Sequence, residues 1–303
     1  MTGRLFCFGY GYSAAALARR LLGAGAGWQV AGTSRSPDKR AAMAAAGIAA
    51  FPFDPAAVDP LPKGALDGTT HVLHSIPPDG MGRDGDPVAR ACLPALSALS
   101  PVWFGYLSTT GVYGDTGGAW VDEDTPCRPR QERSRRRLAA ERAWLDAQAA
   151  GGLPVHVFRL AGIYGPGRSS LDALRAGRAR RIDRPGHLFS RIHVDDIAAA
   201  LAASIARPSP GRIYNLCDDE PAAPADVTAF AAGLLGLPVP PLLPFERAAA
   251  DMSPMARSFW ADNRRVRNDR LHRELGLRLA YPTYRDGLRA VLAAEQAGGT
   301  PAA

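Results

Sequence analysis

Cysteines are few in this sequence, and long apolar runs are missing. The four cysteines among the 303 residues lie far apart and form no C-x-x-C pair. That spacing argues against a zinc site and against a disulfide framework, so we expect no metal, and reduced thiols in a cytoplasmic protein. A transmembrane helix needs about eighteen or more consecutive apolar residues, and no such stretch occurs. We therefore expect no membrane partner.

Clustered positive charge is also rare, although the net formal charge is +7. A nucleic-acid-binding surface typically groups basic side chains on one element, with aromatic residues between them. Only the segment Arg133–Arg137 approaches that pattern, so no nucleic-acid partner is expected. The other arginines fit two interpretations, which are biased codon usage and an electropositive cleft for a phosphorylated ligand.

The amino-terminal segment combines a short apolar run with a glycine turn. Residues 4–8 are mainly apolar, glycines follow at positions 9 and 11, and an alanine-rich stretch runs from Ala14 to Leu22. The order of strand, glycine turn and helix suits a dinucleotide pyrophosphate, because the backbone approaches the phosphates closely and the helix presents free N–H groups. Ala14 stands where a third glycine is usual. The same glycines interrupt the apolar run, which argues against a secretory signal peptide.

The end of the second predicted strand favours NADP over NAD. Residues 28–34 are rich in strand-forming side chains and lead into Ser34, Arg35 and Ser36, with Lys39 nearby. An NAD-specific protein typically has an Asp or Glu here, which binds the ribose 2′-hydroxyl. Hydroxyls and a guanidinium suit a 2′-phosphate instead. The alternative is an arginine that is merely solvated at the start of a helix.

Strands and helices alternate over the first half of the chain. Helices are predicted at 37–47 and 89–99, and strands at 48–54, 71–76 and 102–107. This alternation predicts an α/β fold with a doubly wound parallel sheet, the Rossmann fold, whose ligand lies at the carboxyl ends of the strands. Residues 221–237 and 284–295 are predicted helices, and the proline-rich segment 237–245 is a predicted linker.

Short motifs occur in a characteristic order along the chain. They are Ser108–Asp115, Val121–Pro126, Phe158–Gly167, Ile192–Ala198 and Tyr214–Leu216. In this order they resemble the NAD(P)-dependent epimerase/dehydratase family, the extended and atypical short-chain dehydrogenases/reductases. The resemblance implies a dinucleotide-binding Rossmann domain over residues 1–207, with strand and helix segments shared with the carboxyl-terminal part, and a smaller substrate lobe over residues 208–303. It also implies an oxidoreductase or epimerase/dehydratase that acts on a carbonyl or sugar-like small molecule.

The resemblance further assigns candidate site residues. It makes Thr109 the hydroxyl that hydrogen-bonds the substrate oxygen; the alternative is a strand-end threonine that satisfies the backbone. Asp54 is similar to the residue that contacts the adenine. The candidate cofactor-binding residues are Gly9, Gly11, Tyr12, Ser13, Ala14, Ser34, Arg35, Asp54, Ser75, Pro77, Ser108 and Arg137.

One departure from the family pattern concerns the catalytic pair. The family uses Tyr-x-x-x-Lys, in which the tyrosine exchanges a proton with the substrate and the lysine holds the nicotinamide ribose. Arg133 and Arg137 stand at these positions, and no tyrosine occurs between Tyr113 and Tyr164. Arg137 retains the ability to donate to ribose hydroxyls. Arg133 cannot replace the tyrosine as an acid or base, because a guanidinium stays protonated.

Three hypotheses follow from this departure. In the first, another group donates the proton, and the candidates are Tyr113, Tyr164, His187 and His193. In the second, Arg133 polarises a carbonyl or grips a carboxylate or phosphate. In the third, the protein binds NADP as a sensor and has lost redox chemistry. The candidate catalytic residues are Thr109, Tyr113, Arg133 and Arg137.

A second departure concerns the substrate. Nucleotide-sugar epimerases of this family usually have an arginine four residues before the histidine of the His-Val-Asp-Asp motif, and Phe189 stands there in this chain. On a strand, Phe189, Arg191 and His193 share one face, so Arg191 is a candidate substitute. Residues 258–265 combine aromatic and basic groups that either line the cleft or pack without a special role. The sequence leaves open which small molecule is bound and whether the chain forms a homodimer.

Overall fold

The computed structural model describes residues 2–25, 27–81 and 85–298. In chain order the strands are β1 (Arg4–Phe8), β2 (Gln29–Thr33), β3 (Ala49–Phe51), β4 (His71–His74), β5 (Trp103–Thr109), β6 (Trp120–Val121), β7 (Val155–Leu160), β8 (Gly162–Tyr164), β9 (Arg181–Asp183), β10 (Arg191–His193), β11 (Ile213–Leu216), β12 (Leu242–Pro244) and β13 (Arg265–Val266). The helices are α1 (Tyr12–Gly23), α2 (Pro37–Ala45), α3 (Pro87–Leu99), α4 (Glu132–Ala149), α5 (Ser170–Arg175), α6 (Val194–Ala206), α7 (Pro224–Leu234), α8 (Phe245–Ala250), α9 (Pro254–Phe259), α10 (Asp269–Leu275) and α11 (Tyr284–Gln296), and a short 3₁₀ helix spans Thr110–Tyr113.

Seven of these strands form one parallel sheet in the order β11-β7-β5-β4-β1-β2-β3. The chain builds outward from β1 to β3 and then returns to add β4 on the other side of β1. The order of the strands therefore reverses between β1 and β4, and ligands of open α/β sheets bind at such a reversal, beyond the carboxyl ends of the strands. The predicted α/β doubly wound Rossmann fold is confirmed.

The core lies on both faces of this sheet because side chains alternate along each strand. In β1, Leu5 and Cys7 pack into the cluster on one face, whereas Phe6 and Phe8 pack into the cluster on the other. All four of these side chains are fully buried. The continuous apolar run of β1 is thus explained by a parallel strand that is covered by helices on both sides.

Helix α1 packs against α6 through small residues. Ala16 is buried against Val194 and Ala198, which lets the two helix backbones approach closely. This contact fixes the amino end of α1 beside the glycine turn. Over the described ranges, no helix combines the length and apolar character needed to cross a membrane.

The carboxyl-terminal part of the chain is interwoven with the preceding part. Strand β11 is an edge strand of the main sheet, so the first strand after residue 208 completes that sheet. Two-stranded parallel pairs join β13 to β6 and β12 to β9. The segment 237–245 was predicted as a linker, and this prediction is wrong in part, because Leu242–Pro244 forms β12 by pairing with residues 181–183. That pairing partner is distant in sequence and gives no local signal.

Candidate functional site

Two cavities open near the carboxyl ends of the central strands. The glycine-turn cavity has a volume of about 460 Å³ and is lined by Gly9, Gly11, Arg35, Ser75 and Pro77, among others. The Thr109 cavity has a volume of about 290 Å³, and Thr109, Arg133, Ser134, Asp262 and Arg264 are among its lining residues. Because β4 and β5 are neighbours, the loop after β4 and the end of β5 meet at the same edge of the sheet.

The glycine turn joins β1 to α1 without side chains in the way. Gly9 has a φ of +83°, and a Cβ there would lie 2.9 Å from the Ser75 Oγ, so this position requires glycine. A Cβ at Gly11 would meet no atom within 4 Å, which shows that the space above this residue is open. Helix α1 begins at Tyr12 without a side-chain cap and without an acidic residue in its first turn. Its N–H groups therefore point to an anion-accepting space.

A basic loop borders the same cavity at the end of β2. The side chains of Ser34, Arg35 and Lys39 line the cavity. Arg40 holds the loop backbone, because its Nη1 donates to the carbonyl oxygens of Ser34 (2.8 Å) and Arg35 (3.0 Å). The exposed Arg35 side chain thus extends from a loop with a fixed backbone, and it has the charge and reach to bind a phosphate.

The loop after β4 forms the other wall of the glycine-turn cavity. The Ser75 hydroxyl donates to the carbonyl oxygen of Gly9 (2.6 Å), and Pro77 lines the cavity directly. A buried pair beneath the loop was missed by the sequence analysis. Asp86 accepts from the His74 Nε2 (2.8 Å) and from the Trp144 Nε1 (3.2 Å), and it also caps α3. This pair ties the end of β4 to the start of α3.

Other predicted cofactor-binding residues lie beside this cavity and do not line it. The Asp54 carboxylate accepts from the Ala56 N–H, while Phe53 and Pro55 on either side of Asp54 line the cavity. The Tyr12 hydroxyl donates to the carbonyl oxygen of Pro166 (2.9 Å). Ser13 and Ala14 are buried in the first turn of α1. Tyr12, Ser13 and Ala14 thus contribute backbone and packing at the amino end of α1.

Ser108 and Tyr113 belong to a buried polar network. The Ser108 hydroxyl donates to the Glu141 carboxylate (2.7 Å), which also pairs with Arg159. Arg159 donates to the Tyr113 hydroxyl (2.9 Å), and that hydroxyl donates to the Asn215 Oδ1 (2.8 Å). Tyr113 is only 1% exposed, and burial raises the pKa of its hydroxyl. The structure does not bring Ser108 or Tyr113 to either cavity, because their polar atoms face this network.

Two hydroxyl groups border one small space in the Thr109 cavity. Thr109 ends β5, and its Oγ1 accepts from the Gly111 N–H (3.1 Å), so the hydroxyl proton is left for another acceptor. The Ser134 side chain is 3% exposed and lines the cavity, and its Oγ makes no hydrogen bond with the described residues. A Cβ at Gly111 would lie 3.0 Å from the Ser134 Oγ and 3.4 Å from the Thr109 Oγ1. Glycine at this position therefore keeps both hydroxyls open to a ligand.

Guanidinium groups supply most of the charge in the Thr109 cavity. The Arg133 guanidinium carbon lies 4.3 Å from the centre of the Phe259 ring, and its Nη1 is 3.4 Å from the Met255 Sδ. Arg264 donates to the Asp262 carboxylate (3.3 Å) and to the carbonyl oxygen of Gly114 (3.1 Å). Burial lowers the pKa of both guanidiniums, and the nearby Asp262 carboxylate opposes that shift. Both groups stay charged at neutral pH.

Of the remaining candidate residues from the sequence, some line the Thr109 cavity and others are buried in the core. Tyr164 and Arg191 line the Thr109 cavity, but the Arg191 Nη1 donates to the carbonyl oxygens of Phe189 (2.8 Å) and Ala222 (3.0 Å). Burial raises the pKa of Tyr164. His187 packs its ring against an aromatic cluster, and burial lowers its pKa to about 4. His193 caps α6 by accepting from the Asp195 N–H.

Arg137 and the segment 258–265 complete the predicted set. The Arg137 Nη1 donates to the carbonyl oxygen of Leu107 (2.8 Å), and the residue lines neither cavity. Within the segment, Ser258, Phe259, Asp262 and Arg264 line the Thr109 cavity. The sequence analysis assigned no role to Ser134 and did not single out Asp262 or Arg264. For Asp262 and Arg264, the only signal was the mixture of aromatic and basic residues in the segment 258–265.

Comparisons with known proteins agree with this architecture. The model of the NAD dependent epimerase/dehydratase family matches residues 87–217. Protein YeeZ of Escherichia coli (strain K12) is 36% identical over 137 residues, which are 45% of this chain and 47% of YeeZ. A 3-diazoavenalumate denitrifying reductase of Streptomyces sp is 32% identical over 146 residues, which are 46% of this chain and 48% of the reductase. The matches thus span about half the length of these curated relatives.

A solved structure is similar over nearly the whole chain. It is a functionally unknown conserved protein from Silicibacter pomeroyi DSS, with 52% sequence identity and a TM-score of 0.86, and the match covers 96% of this chain and 98% of that protein. The family match includes the Thr109 segment, and the glycine turn precedes it in the position that a Rossmann fold requires. The chain belongs to the NAD dependent epimerase/dehydratase family, among the extended short-chain dehydrogenases/reductases.

Proposed function

We propose that this chain is an NADP(H)-dependent oxidoreductase that acts on a small carbonyl compound or the corresponding alcohol. The observation that carries the proposal is the pair of cavities at one edge of the sheet. One cavity has an uncapped helix end and a basic loop, and the other has two open hydroxyls beside the end of β5. The proposal keeps residues 1–207 as the dinucleotide-binding part and residues 208–303 as the part that covers the substrate, except for β11, which belongs to the main sheet.

The glycine-turn cavity has the donors that an NADP molecule requires. We assign the pyrophosphate to the turn at Gly9 and Gly11 and to the N–H groups at the start of α1. We assign the 2′-phosphate to Ser34 and Arg35, because a carboxylate at this loop would repel it. When bound, the nicotinamide of such a cofactor donates or accepts a hydride.

In the Thr109 cavity we assign the substrate oxygen to the hydroxyls of Thr109 and Ser134. Both are donors that face the same space, and Ser134 follows directly after the position at which the family has tyrosine. Hydrogen bonds to a carbonyl oxygen stabilise the negative charge that develops on it during reduction. A serine or threonine hydroxyl is a poor acid near neutral pH, so water supplies the proton.

Oxidation of NADPH in the presence of carbonyl compounds tests this proposal. We expect consumption of NADPH with at least one member of a panel of aldehydes, ketones and keto acids. The Thr109→Ala variant should lower kcat/KM about 10-fold or more, because one donor to the developing charge is lost. The Thr116→Ala variant is a matched control, since the Thr116 hydroxyl bonds backbone and does not line the cavity. Equal loss in both variants would contradict the assigned role of Thr109.

A second candidate function is favoured by Arg133, which stands where the family has its tyrosine. In this alternative the protein is a sensor that binds NADP without redox chemistry. A sensor should bind a partner with different affinity in the presence of NADP+ and of NADPH. Turnover with any carbonyl compound of the panel, lost in the Thr109→Ala variant, would reject the sensor and support the oxidoreductase.

A further inference from the structure

We propose that Arg133 and Arg264 bind a carboxylate of the substrate, so that the substrate is a small organic acid with an apolar body. The inference rests on the proposed function, because it names the substrate class of the same cavity. It starts from two guanidinium groups that line one cavity although they lie on distant segments of the chain. Arg133 is in the first turn of α4, and Arg264 directly precedes β13.

Arg133 forms no ion pair with the described residues, in contrast to Arg135 and Arg136 on the same helix. Arg135 and Arg136 both form ion pairs with Glu132, at 2.8 Å and 2.9 Å. In the described part of the chain, Arg133 forms no ion pair, and its neighbours are the Phe259 ring and the Met255 sulfur. A guanidinium that lies over an aromatic ring is held in place while its N–H edge stays available for an acceptor.

Arg264 adds a second guanidinium to the lining of the same cavity. One of its nitrogens, Nη1, is used by Asp262 and by the carbonyl oxygen of Gly114. The Asp262 carboxylate is the only acidic group among the residues that line the described cavity, whereas three arginines line it. An anionic ligand would therefore balance the charge of the cavity, and a neutral ligand would leave it uncompensated.

The shape of the cavity favours a carboxylate on a small apolar body. A planar guanidinium binds a carboxylate through two parallel hydrogen bonds. The aromatic rings of Phe189 and Phe259 form part of the wall and suit an apolar or aromatic body. The volume of about 290 Å³ lies just below the usual range of ligand cavities, roughly 300–1,000 Å³, and therefore favours a small ligand. In addition, Phe189 stands where nucleotide-sugar enzymes of this family have an arginine, so the cavity lacks that arginine.

The two arginines and the two hydroxyls of the Thr109 cavity can bind opposite ends of one small substrate. The carboxylate would lie between the two guanidiniums, and the reacting oxygen would lie at Thr109 and Ser134. Binding one end of the substrate fixes the orientation of the other, which lowers the entropic cost of reaching the reactive geometry. Arg133 thus stands at the position of the family's tyrosine but orients the substrate instead of exchanging a proton with it.

Calorimetric titration of the protein with benzoate, benzamide and inorganic phosphate tests this inference. The protein is saturated with NADP+ so that the glycine-turn cavity does not take up the anion. We expect benzoate to bind about 10-fold or more tightly than benzamide, its neutral isostere, and more tightly than phosphate. Equal affinity for benzoate and benzamide would overturn the proposal, and tighter binding of phosphate would overturn the carboxylate assignment.

Three variants assign the binding to the two arginines. Arg133→Met and Arg264→Met should each weaken benzoate binding roughly 10- to 100-fold, as expected for the loss of a charged hydrogen-bond donor. Arg135→Met is the matched control on the same helix and should leave the affinity unchanged, because Arg135 pairs with Glu132. If Arg264→Met does not fold, Arg133→Met decides alone, since the Arg133 side chain is exposed. An unchanged affinity in Arg133→Met would refute the proposal.

The same samples separate this inference from the proposed function. NADP+ affinity is measured by titration before the anion is added. Binding of benzoate without binding of NADP+, with the expected losses in the variants, would support the anion site and reject the proposed cofactor. Binding of NADP+ without binding of benzoate would support the proposed cofactor and reject the anion site.

Discussion

The Tyr113→Phe variant should lower stability and leave cofactor binding intact. The substitution removes only the hydroxyl, which accepts from the Arg159 Nη1 (2.9 Å) and donates to the Asn215 Oδ1 (2.8 Å). The ring is retained, so the contact with the Arg159 guanidinium carbon, 4.9 Å from the ring centre, is kept. The change therefore isolates the hydrogen bonds of a motif tyrosine from its packing.

The expected loss follows mainly from the Asn215 Oδ1, which is left without a partner, because Arg159 keeps its ion pair with Glu141. A buried donor or acceptor left unsatisfied costs about 1–3 kcal/mol. With Tyr113 at 1% exposure, water cannot replace the hydroxyl without rearrangement. We expect the free energy of unfolding to fall by about 1–3 kcal/mol. A domain of ordinary stability, about 5–15 kcal/mol, stays folded after such a loss.

Urea denaturation followed by tryptophan fluorescence measures this loss. Tyr281→Phe is the matched control, because the Tyr281 hydroxyl makes no hydrogen bond with the described residues and the residue is half-buried. The control should change the free energy of unfolding by less than about 0.5 kcal/mol. NADP+ affinity and any turnover should be unchanged in both variants. A loss of turnover in Tyr113→Phe without a loss of stability would refute the structural role and restore Tyr113 as a catalytic candidate.

Three further predictions concern pH and packing. His156 is 0% exposed, and burial lowers its pKa from 6.5 to about 4, so protonation favours the unfolded state. Its contribution to stability should fall as the pH drops below 6.5, by about 2 kcal/mol at pH 5. Because the pKa of His187 is lowered in the same way, urea titrations of His156→Gln should show a slope that is smaller by this amount, and an unchanged slope would contradict the prediction. Asp218 is 1% exposed, its carboxylate oxygens have no hydrogen-bond partner in the described structure, and burial raises its pKa from 3.8 to about 8. The neutral carboxyl is therefore favoured in the folded state, and stability should fall as the pH rises from about 4 to 8. In urea titrations across this window, Asp218→Asn should gain stability relative to wild type. If the stability of both proteins changes with pH in parallel, the raised pKa of Asp218 is contradicted. Gly111→Ala should lower kcat/KM roughly 10-fold or more with unchanged NADP+ affinity, because the added Cβ would lie 3.0 Å from the Ser134 Oγ; full activity would show that the space between the two hydroxyls is not used.

The glycine-turn cavity was predictable from the sequence because the signals for its walls are local. The apolar run of β1, the glycines at 9 and 11 and the basic loop at Arg35 follow one another within 35 residues. Each of them is either a residue that the local backbone conformation requires or a charged side chain, and both can be recognised from neighbouring residues in the sequence. The buried His74–Asp86 pair lies next to these signals but was missed, since its partners meet only when α3 packs on the sheet.

The Thr109 cavity was only partly predictable because it is assembled from distant segments. Thr109 was marked by a motif, but Ser134 and Arg264 come near it only through the start of α4 and the pairing of β13 with β6. The motif also marked Tyr113, whose partners Arg159 and Asn215 lie 46 and 102 residues further along the chain. A sequence motif identifies such a tyrosine without showing whether its hydroxyl faces a cavity or the core.

The most direct test of the account is a comparison of NADPH and NADH affinity in wild type and in Arg35→Ala, with Arg247→Ala as a control. Arg247 is an exposed arginine on α8 that lines neither of the two cavities. We predict that wild type and the control bind NADPH roughly 10-fold or more tightly than NADH, and that Arg35→Ala binds both with similar affinity, because the 2′-phosphate has lost its guanidinium partner. A wild-type preference for NADH, or a preference for NADPH that survives in Arg35→Ala, would contradict the assignment of the glycine-turn cavity to NADP(H).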